Sequence, residues 1–342
     1  MASGKMPLFS LCIPTALCIL LLLSACASPL KQPKSEVTVQ PSLTNNAFIT
    51  SDGYRLPRYN EIEQPLQPKA LVIALHGFND YSRAFSSMCR YLNTRDVACY
   101  AYDQRGFGAT DYRGIWPEGG VLESDLLEIT QTLKQQHARI PIYLVGESMG
   151  GAVILSAIAE GEPEKLGAID GVVLLAPAVW GRETQPWYQR WALALAVRIA
   201  PSWTPTGESL EIVPTDNIEA LREMGRDELV IKETRIDAVY GLTNLMDQAL
   251  SVSGTSPTLP SLILYGQNDE VIPAEPTCDM LARFEKSDAE FNFQLYPNGY
   301  HMLTRDLQAE EVFKDIIRWI DSDKTEPLSM AATELCTDHT ES

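Results

Sequence analysis

Short apolar runs recur along the chain, each closed by glycine, proline or a polar turn: Ala70–Leu75, Val97–Tyr102, Pro141–Val145, Gly171–Pro177, Ser261–Gly266 and Phe291–Tyr296. Most are apolar at consecutive rather than alternate positions, which predicts strands covered on both faces. Between them the period becomes helical: a segment ending near Asn93, then Leu122–Gln136, then the residues from Gly151 to Ile158, and finally Ala309–Asp321. The second of these carries its acids early and Lys134 late, as a helix dipole prefers. Strands alternating with helices predict an α/β protein built on a mostly parallel sheet. Ahead of it, Ala47–Thr50 and Tyr54–Leu56 flank the turn Ser51-Asp52-Gly53 and read as a hairpin.

The alternation breaks across residues 178–257, where no apolar strand pattern appears and where Trp180, Trp187, Trp191 and Trp203 fall. This divides the chain into an α/β core over 47–177 and 258–322, a helical insertion over 178–257, and a polar tail over 323–342. Thr184 and Pro186 open a helix whose Trp187, Trp191, Leu195 and Ile199 share one stripe. Such a stripe either packs on the core or forms an acyl-binding roof or membrane-touching lid, with Trp187 and Trp191 as candidate acyl-pocket residues.

With 342 residues there is room for one large domain or two modest ones. The net charge of -18 excludes nucleic acid as a partner, since no basic surface could neutralise phosphates. It also leaves no polybasic attraction to anionic lipid, so membrane attachment must come from elsewhere. The N-terminus offers a route. Lys5 precedes an almost wholly apolar Leu8–Leu23, and the run closes Leu23-Ser24-Ala25-Cys26. This resembles the lipobox of bacterial lipoproteins, which implies removal of residues 1–25, acylation of Cys26, and a lipid-anchored place in the cell envelope. Ala27 after the cysteine is not Asp, which in Gram-negative lipoproteins favours outer-membrane sorting, so a periplasmic or outer-membrane face is expected in such a host. An uncleaved anchor helix and a plain secretory signal are the other readings. Residues 26–46, dotted with Pro29, Pro33 and Pro41, are expected to be a tether. In an oxidising compartment Cys89, Cys99, Cys278 and Cys336 allow three pairings. Cys89 and Cys99 lie in apolar surroundings and are expected to be buried thiols. No CxxC or histidine cluster calls for a metal, and no cofactor is expected.

The chemistry centres on Gly146-Glu147-Ser148-Met149-Gly150, a serine at a turn between a predicted strand and a predicted helix. A serine hydroxyl needs a base, and the base needs an acid to orient it. Of four histidines, His339 lies in the tail, His137 ends a surface helix, and His76 suits a structural hydrogen bond. His301 follows a strand and turn, at the edge where open sheets keep their sites, and is the candidate base. The acid should come between Ser148 and His301, where Gly266–Pro273 supplies Asp269 and Glu270. Met149 and Phe78 are the candidate oxyanion donors, with Asn79 and Tyr81 nearby.

Taken in order, His76-Gly77-Phe78, Asp103-Gln104-Arg105-Gly106-Phe107-Gly108, Gly146-Glu147-Ser148-Met149-Gly150-Gly151, Gly266-Gln267-Asn268-Asp269 and Tyr300-His301 resemble the α/β-hydrolase superfamily. Within it they resemble the monoacylglycerol lipase, lysophospholipase and serine aminopeptidase-like group. The resemblance selects Asp269 over Glu270, makes 178–257 a cap over the site, and implies hydrolysis of a lipid-like monoacyl ester. This chain carries Phe78-Asn79-Asp80 where relatives often have another small residue and a histidine or glutamate. Aminopeptidase, thioesterase or acyltransferase chemistry could use the same residues. Glu208, Glu211 and Asp216 are the acids that an aminopeptidase reading would recruit. A non-catalytic envelope binding protein is the reading from another class.

Overall fold

The computed structural model describes residues 28–33, 35–205, 212–253, 259–287, 290–322 and 335–336. The signal segment, Cys26, Glu208, Glu211 and His339 lie outside the described residues. The chain opens with a small antiparallel sheet of β1 (Ser42–Leu43), β2 (Ala47–Ile49) and β3 (Arg55–Pro57), in which Phe48 faces Leu56. Six parallel strands then make the main sheet: β4 (Ala70–Leu75), β5 (Val97–Tyr102), β6 (Ile142–Glu147), β7 (Gly171–Leu175), β8 (Ser261–Gly266) and β9 (Phe291–Tyr296). Their spatial order is β5-β4-β6-β7-β8-β9. The small sheet covers the exposed edge at β5, where Arg58 bridges antiparallel to Tyr102 and Tyr59 N–H donates to Ala101.

Alternation along β4 divides the core in two. Leu71, Ile73 and Leu75 pack on one face with α2 (Val121–Gln136) and α3 (Met149–Glu160), as well as with two later helices. Val72 and Ala74 pack on the other face, with α1 (Ser86–Asn93) and the last helix of the chain. A short α4 (Pro163–Leu166) leads into β7. Between β7 and β8 come α5 (Trp187–Ile199), α6 (Ile218–Arg226) and α7 (Ile236–Val252), and α7 lies on α3. Helix α8 (Ala274–Lys286) connects β8 to β9, and α9 (Ala309–Asp321) closes the fold.

The chain runs from β4 outward to β5, then crosses to β6 on the other side of β4. Loops leaving β4 and β6 therefore diverge and open a crevice at their carboxyl ends. Register pairs Leu75 with Gly146, Glu147 with Leu175, and Gly266 with Tyr296. The strand ends are thus level, and the residues that follow β4, β6, β8 and β9 share one edge.

Two expectations need correction. Cys89 and Cys99 are not thiols but a disulfide: α1 packs across β5 and brings their Cα atoms to 5.2 Å. Cys278 on α8 pairs with Cys336 at a Cα distance of 5.7 Å. An apolar setting hides a bridge as readily as a thiol, and the spacing in sequence carries no distance. The stretch after Cys26 is also not a free tether. Leu30 N–H donates to Asp237, the amide of Gln32 is buried and donates to Ile115 O, and Lys31 pairs with Glu118.

Candidate active site

Ser148 follows the last residue of β6 and caps α3, with φ of 53° and ψ of -114°. A side chain in that region is strained, and tertiary bonds hold it there. Ser148 N–H donates to Leu175 O on the neighbouring strand, and Ser148 O accepts from Ala178 and Ala152. The flanking glycines are steric requirements. A Cβ on Gly150 would strike the Leu75 backbone, and one on Gly146 would come within 2.5 Å of Gly150. Strand β6 and helix α3 can meet this closely at Ser148 only without those side chains. The turn also leaves the first N–H groups of α3, beginning with Met149, without intrahelical acceptors at the positive end of the helix.

His301 and Asp269 meet across the ends of β9 and β8, with His301 Nδ1 2.8 Å from Asp269 Oδ2. Both are buried. The other Asp269 oxygen accepts from the N–H groups of Val271 and Ile272 at 2.8 and 2.9 Å, which fixes the carboxylate. Burial opposes charge on His301, but the Asp269 carboxylate outweighs it and raises the imidazole above its ordinary pKa. Glu270 is drawn away to accept from Val213 N–H. His76 is buried, takes Gln104 N–H on Nε2 and places Nδ1 on Gly77 O, so it shapes the loop after β4.

Ser148, His301 and Phe78 line one cavity of about 250 Å³. Its lining is apolar at Ala178, Leu242, Met246, Val271 and Ile272 and charged at Asp80, Glu147 and Arg305. Trp187 and Trp191 are not among its walls and are 67% and 72% exposed. The tryptophan that does line the cavity is Trp180. Phe78 packs edge-on against Phe107, and the next residue, Asn79, has φ of 66° and donates to Thr234. The Tyr81 hydroxyl donates to Asp227, and Asp216 accepts from Leu307 N–H. Among the described residues no cluster of His, Cys, Asp or Glu could hold a metal.

A buried ion network that no sequence motif marks braces the site. Arg305 donates to Asp80 at 2.5 Å and to Glu147 at 2.7 Å, and Thr304 donates to Glu147 at 2.8 Å. It ties together the loop after β4, the residue before Ser148, and the loop that carries His301. The available signal was Glu147 itself, a carboxylate ending a fully buried strand, which demands a partner.

A parallel sheet with a serine at a strained strand-to-helix turn, and a hydrogen-bonded His–Asp pair at the same edge, defines an α/β hydrolase. Comparison with known proteins gives the family. The serine aminopeptidase S33 family matches over residues 66–308, and the chain belongs to it. Human monoglyceride lipase is 24% identical over 259 residues, covering 74% of this chain and 82% of that one. A monoacylglycerol lipase of Mycolicibacterium smegmatis is 22% identical, covering 82% of this chain and 98% of that one. Among solved structures, the monoacylglycerol lipase of Paleococcus ferrophilus superposes with a TM-score of 0.60 at 22% identity, covering 78% and 98% of the two chains. A soluble variant of the Saccharomyces cerevisiae monoglyceride lipase gives a TM-score of 0.65 at 17% identity, covering 86% and 98%. The chain is an ester-hydrolysing enzyme.

Proposed function

We propose that the enzyme hydrolyses monoacyl lipids, with monoacylglycerols as the substrate class, through acyl transfer to Ser148. The observation that carries this reading is the buried Asp269–His301 hydrogen bond on the wall of the cavity that also holds Ser148. His301 Nε2 takes the hydroxyl proton as Ser148 Oγ bonds to the ester carbonyl carbon. Negative charge moves onto the carbonyl oxygen, towards the N–H groups of Met149 and Phe78. The bond to the leaving alcohol breaks, and His301 returns the proton to that alcohol. Water, deprotonated by His301, then attacks the acyl–serine ester; the fatty acid leaves and Ser148 regains its proton. Asp269 holds the imidazole and stabilises its charged form.

The apolar lining suits an acyl chain, and relatives named as monoglyceride lipases support the substrate class. Asp80 and Glu147 are both engaged by Arg305, so neither is left to capture a free amine, which favours an ester over an aminopeptide. In a panel of monoacylglycerols, lysophospholipids and aminoacyl amides, Ser148→Ala should lose at least about 10⁴-fold in kcat on the preferred ester. A wild-type rate for Ser148→Ala, or a preference for the amides, overturns the reading.

We also propose a lipid-anchored location in the cell envelope, supported by the lipobox-like Leu23-Ser24-Ala25-Cys26, with Cys26 acylated, and by two disulfides, which suit an oxidising compartment. Cys26→Ser should abolish incorporation of labelled palmitate; unchanged labelling refutes the anchor.

A further inference from the structure

Between β7 and β8, just ahead of α6, each of residues 213–217 bonds to a loop that holds Asp269 or His301. Val213 N–H donates to Glu270, the neighbour of Asp269, at 2.9 Å. Pro214 O accepts Met302 N–H at 2.9 Å, and Thr215 Oγ1 donates to Asp306 Oδ1 at 2.6 Å. Asp216 Oδ1 accepts Leu307 N–H at 2.8 Å, and Asn217 Nδ2 donates to Arg305 O at 2.9 Å.

Asp306 is central to this set. Its second oxygen, Oδ2, accepts Tyr300 N–H at 2.8 Å. The backbone N–H groups on either side of His301 are therefore both held, that of Tyr300 by Asp306 and that of Met302 by Pro214. Asp306 is itself fixed. Its carbonyl accepts Ala309 N–H at the start of α9, whose Val312, Phe313 and Ile316 are buried in the core. Asp306 and Thr215 are 3% and 0% exposed. Burial pushes the Asp306 carboxyl up to about 6, and its oxygens meet a hydroxyl and a peptide N–H rather than a cation. A carboxylate buried on such terms costs stability. An apolar side chain would fill the space at less cost, but would leave Tyr300 N–H and the Thr215 hydroxyl unpaired and the backbone before His301 unheld.

We propose that Asp306 is a positioning residue for His301, and that segment 213–217 acts through it, so that the imidazole reaches its working place only with that segment docked. The role rests on the reaction proposed for Ser148 and His301. Asp306 does not line the cavity of Ser148; it acts on the backbone that carries the ring. Pro214 and Met302 do line the cavity, so a substrate seated there meets that same backbone. Small errors in such placement are costly, since a shift of about 1 Å in a reacting group can slow catalysis about 10²-fold.

The test compares Asp306→Ala, Asp306→Asn and Thr215→Val in the full-length protein, with p-nitrophenyl butyrate and monooleoylglycerol as substrates. Asn keeps an oxygen for Tyr300 N–H and turns its amide to the Thr215 hydroxyl, which can accept as well as donate. Asp306→Ala should lower kcat about 30-fold with KM within about twofold, and Asp306→Asn should stay within about threefold of wild type. Thr215→Val should lower kcat about fivefold alone and cause no further loss beside Asp306→Ala. The far-downfield proton resonance of His301 Nδ1–H, identified by its absence from His301→Gln, reads the imidazole directly. It should shift or broaden in Asp306→Ala and return in Asp306→Asn. In folded Asp306→Ala, either a wild-type kcat or an unmoved resonance overturns the role. Asp306→Asn as slow as Asp306→Ala places the effect in the charge and overturns it too. Should Asp306→Ala fail to fold, Asp306→Leu fills the space without an acceptor, and a wild-type rate there is equally fatal. Independent losses from Thr215→Val in both backgrounds overturn the part given to segment 213–217. The resonance needs no turnover, so a His301 signal that follows Asp306 while Ser148→Ala still cleaves the ester supports the positioning and refutes only the reaction.

Discussion

At the scale of single residues, the proposed chemistry rests on the state of one imidazole. His301 must be neutral to accept a proton, and burial alone would keep it so. The Asp269 carboxylate acts in the opposite sense and prevails, so the rising limb of kcat/KM against pH should have its midpoint above the ordinary histidine value of 6.5. Asp269→Asn removes the charge and leaves the burial, which moves that midpoint below 6.5 while kcat falls about 10³- to 10⁴-fold. A pH–rate profile of both proteins checks direction and size, and a midpoint that does not move would separate Asp269 from the base. Ser148, Asp269 and His301 are legible because each ends or follows an apolar strand and they occur in that order along the chain. Arg305 is not legible. Its partner Glu147 lies 158 residues away, and nothing between them records that their loops meet.

At the scale of elements, most strands announce themselves as unbroken apolar runs, since a strand covered on both faces has no polar side to show. The stripe on α5 is equally visible, but its direction is not: periodicity gives one apolar side of a helix and does not say what that side meets. Expecting core packing there fails because α7 already occupies the space against α3. The loops that converge on the cavity depend on Arg305, whose guanidinium is shared by Asp80 and Glu147. Arg305→Met should destabilise the fold by about 3–5 kcal/mol, because two buried carboxylates lose their counter-charge. Adding Glu147→Gln should recover part of that loss, and a double-mutant cycle in urea measures the coupling. Purely additive effects would mean that the three loops are held independently.

At the scale of the whole molecule, both described ends of the chain are fastened to the fold, the first by Leu30 and Gln32 and the last by Cys336. Four cysteines in an oxidising compartment allow three pairings, and only the packing of α1 on β5 and of residue 336 on α8 selects between them. The Cys278–Cys336 bridge closes a segment of 58 residues that contains β9, His301 and α9. On loop-closure entropy alone, such a bridge restricts the unfolded chain by about 4 kcal/mol. Neither cysteine lines the cavity of Ser148. Replacing both with serine should therefore lower the urea midpoint, by up to about that energy, while folded protein hydrolyses a soluble ester within about twofold of the wild-type rate. Reduced wild-type protein should move the same way, and further, since Cys89–Cys99 opens as well. An unchanged midpoint in the double serine variant would show that the bridge adds no stability. A lost ester rate with an unchanged midpoint would place the bridge in service of the His301 loop instead.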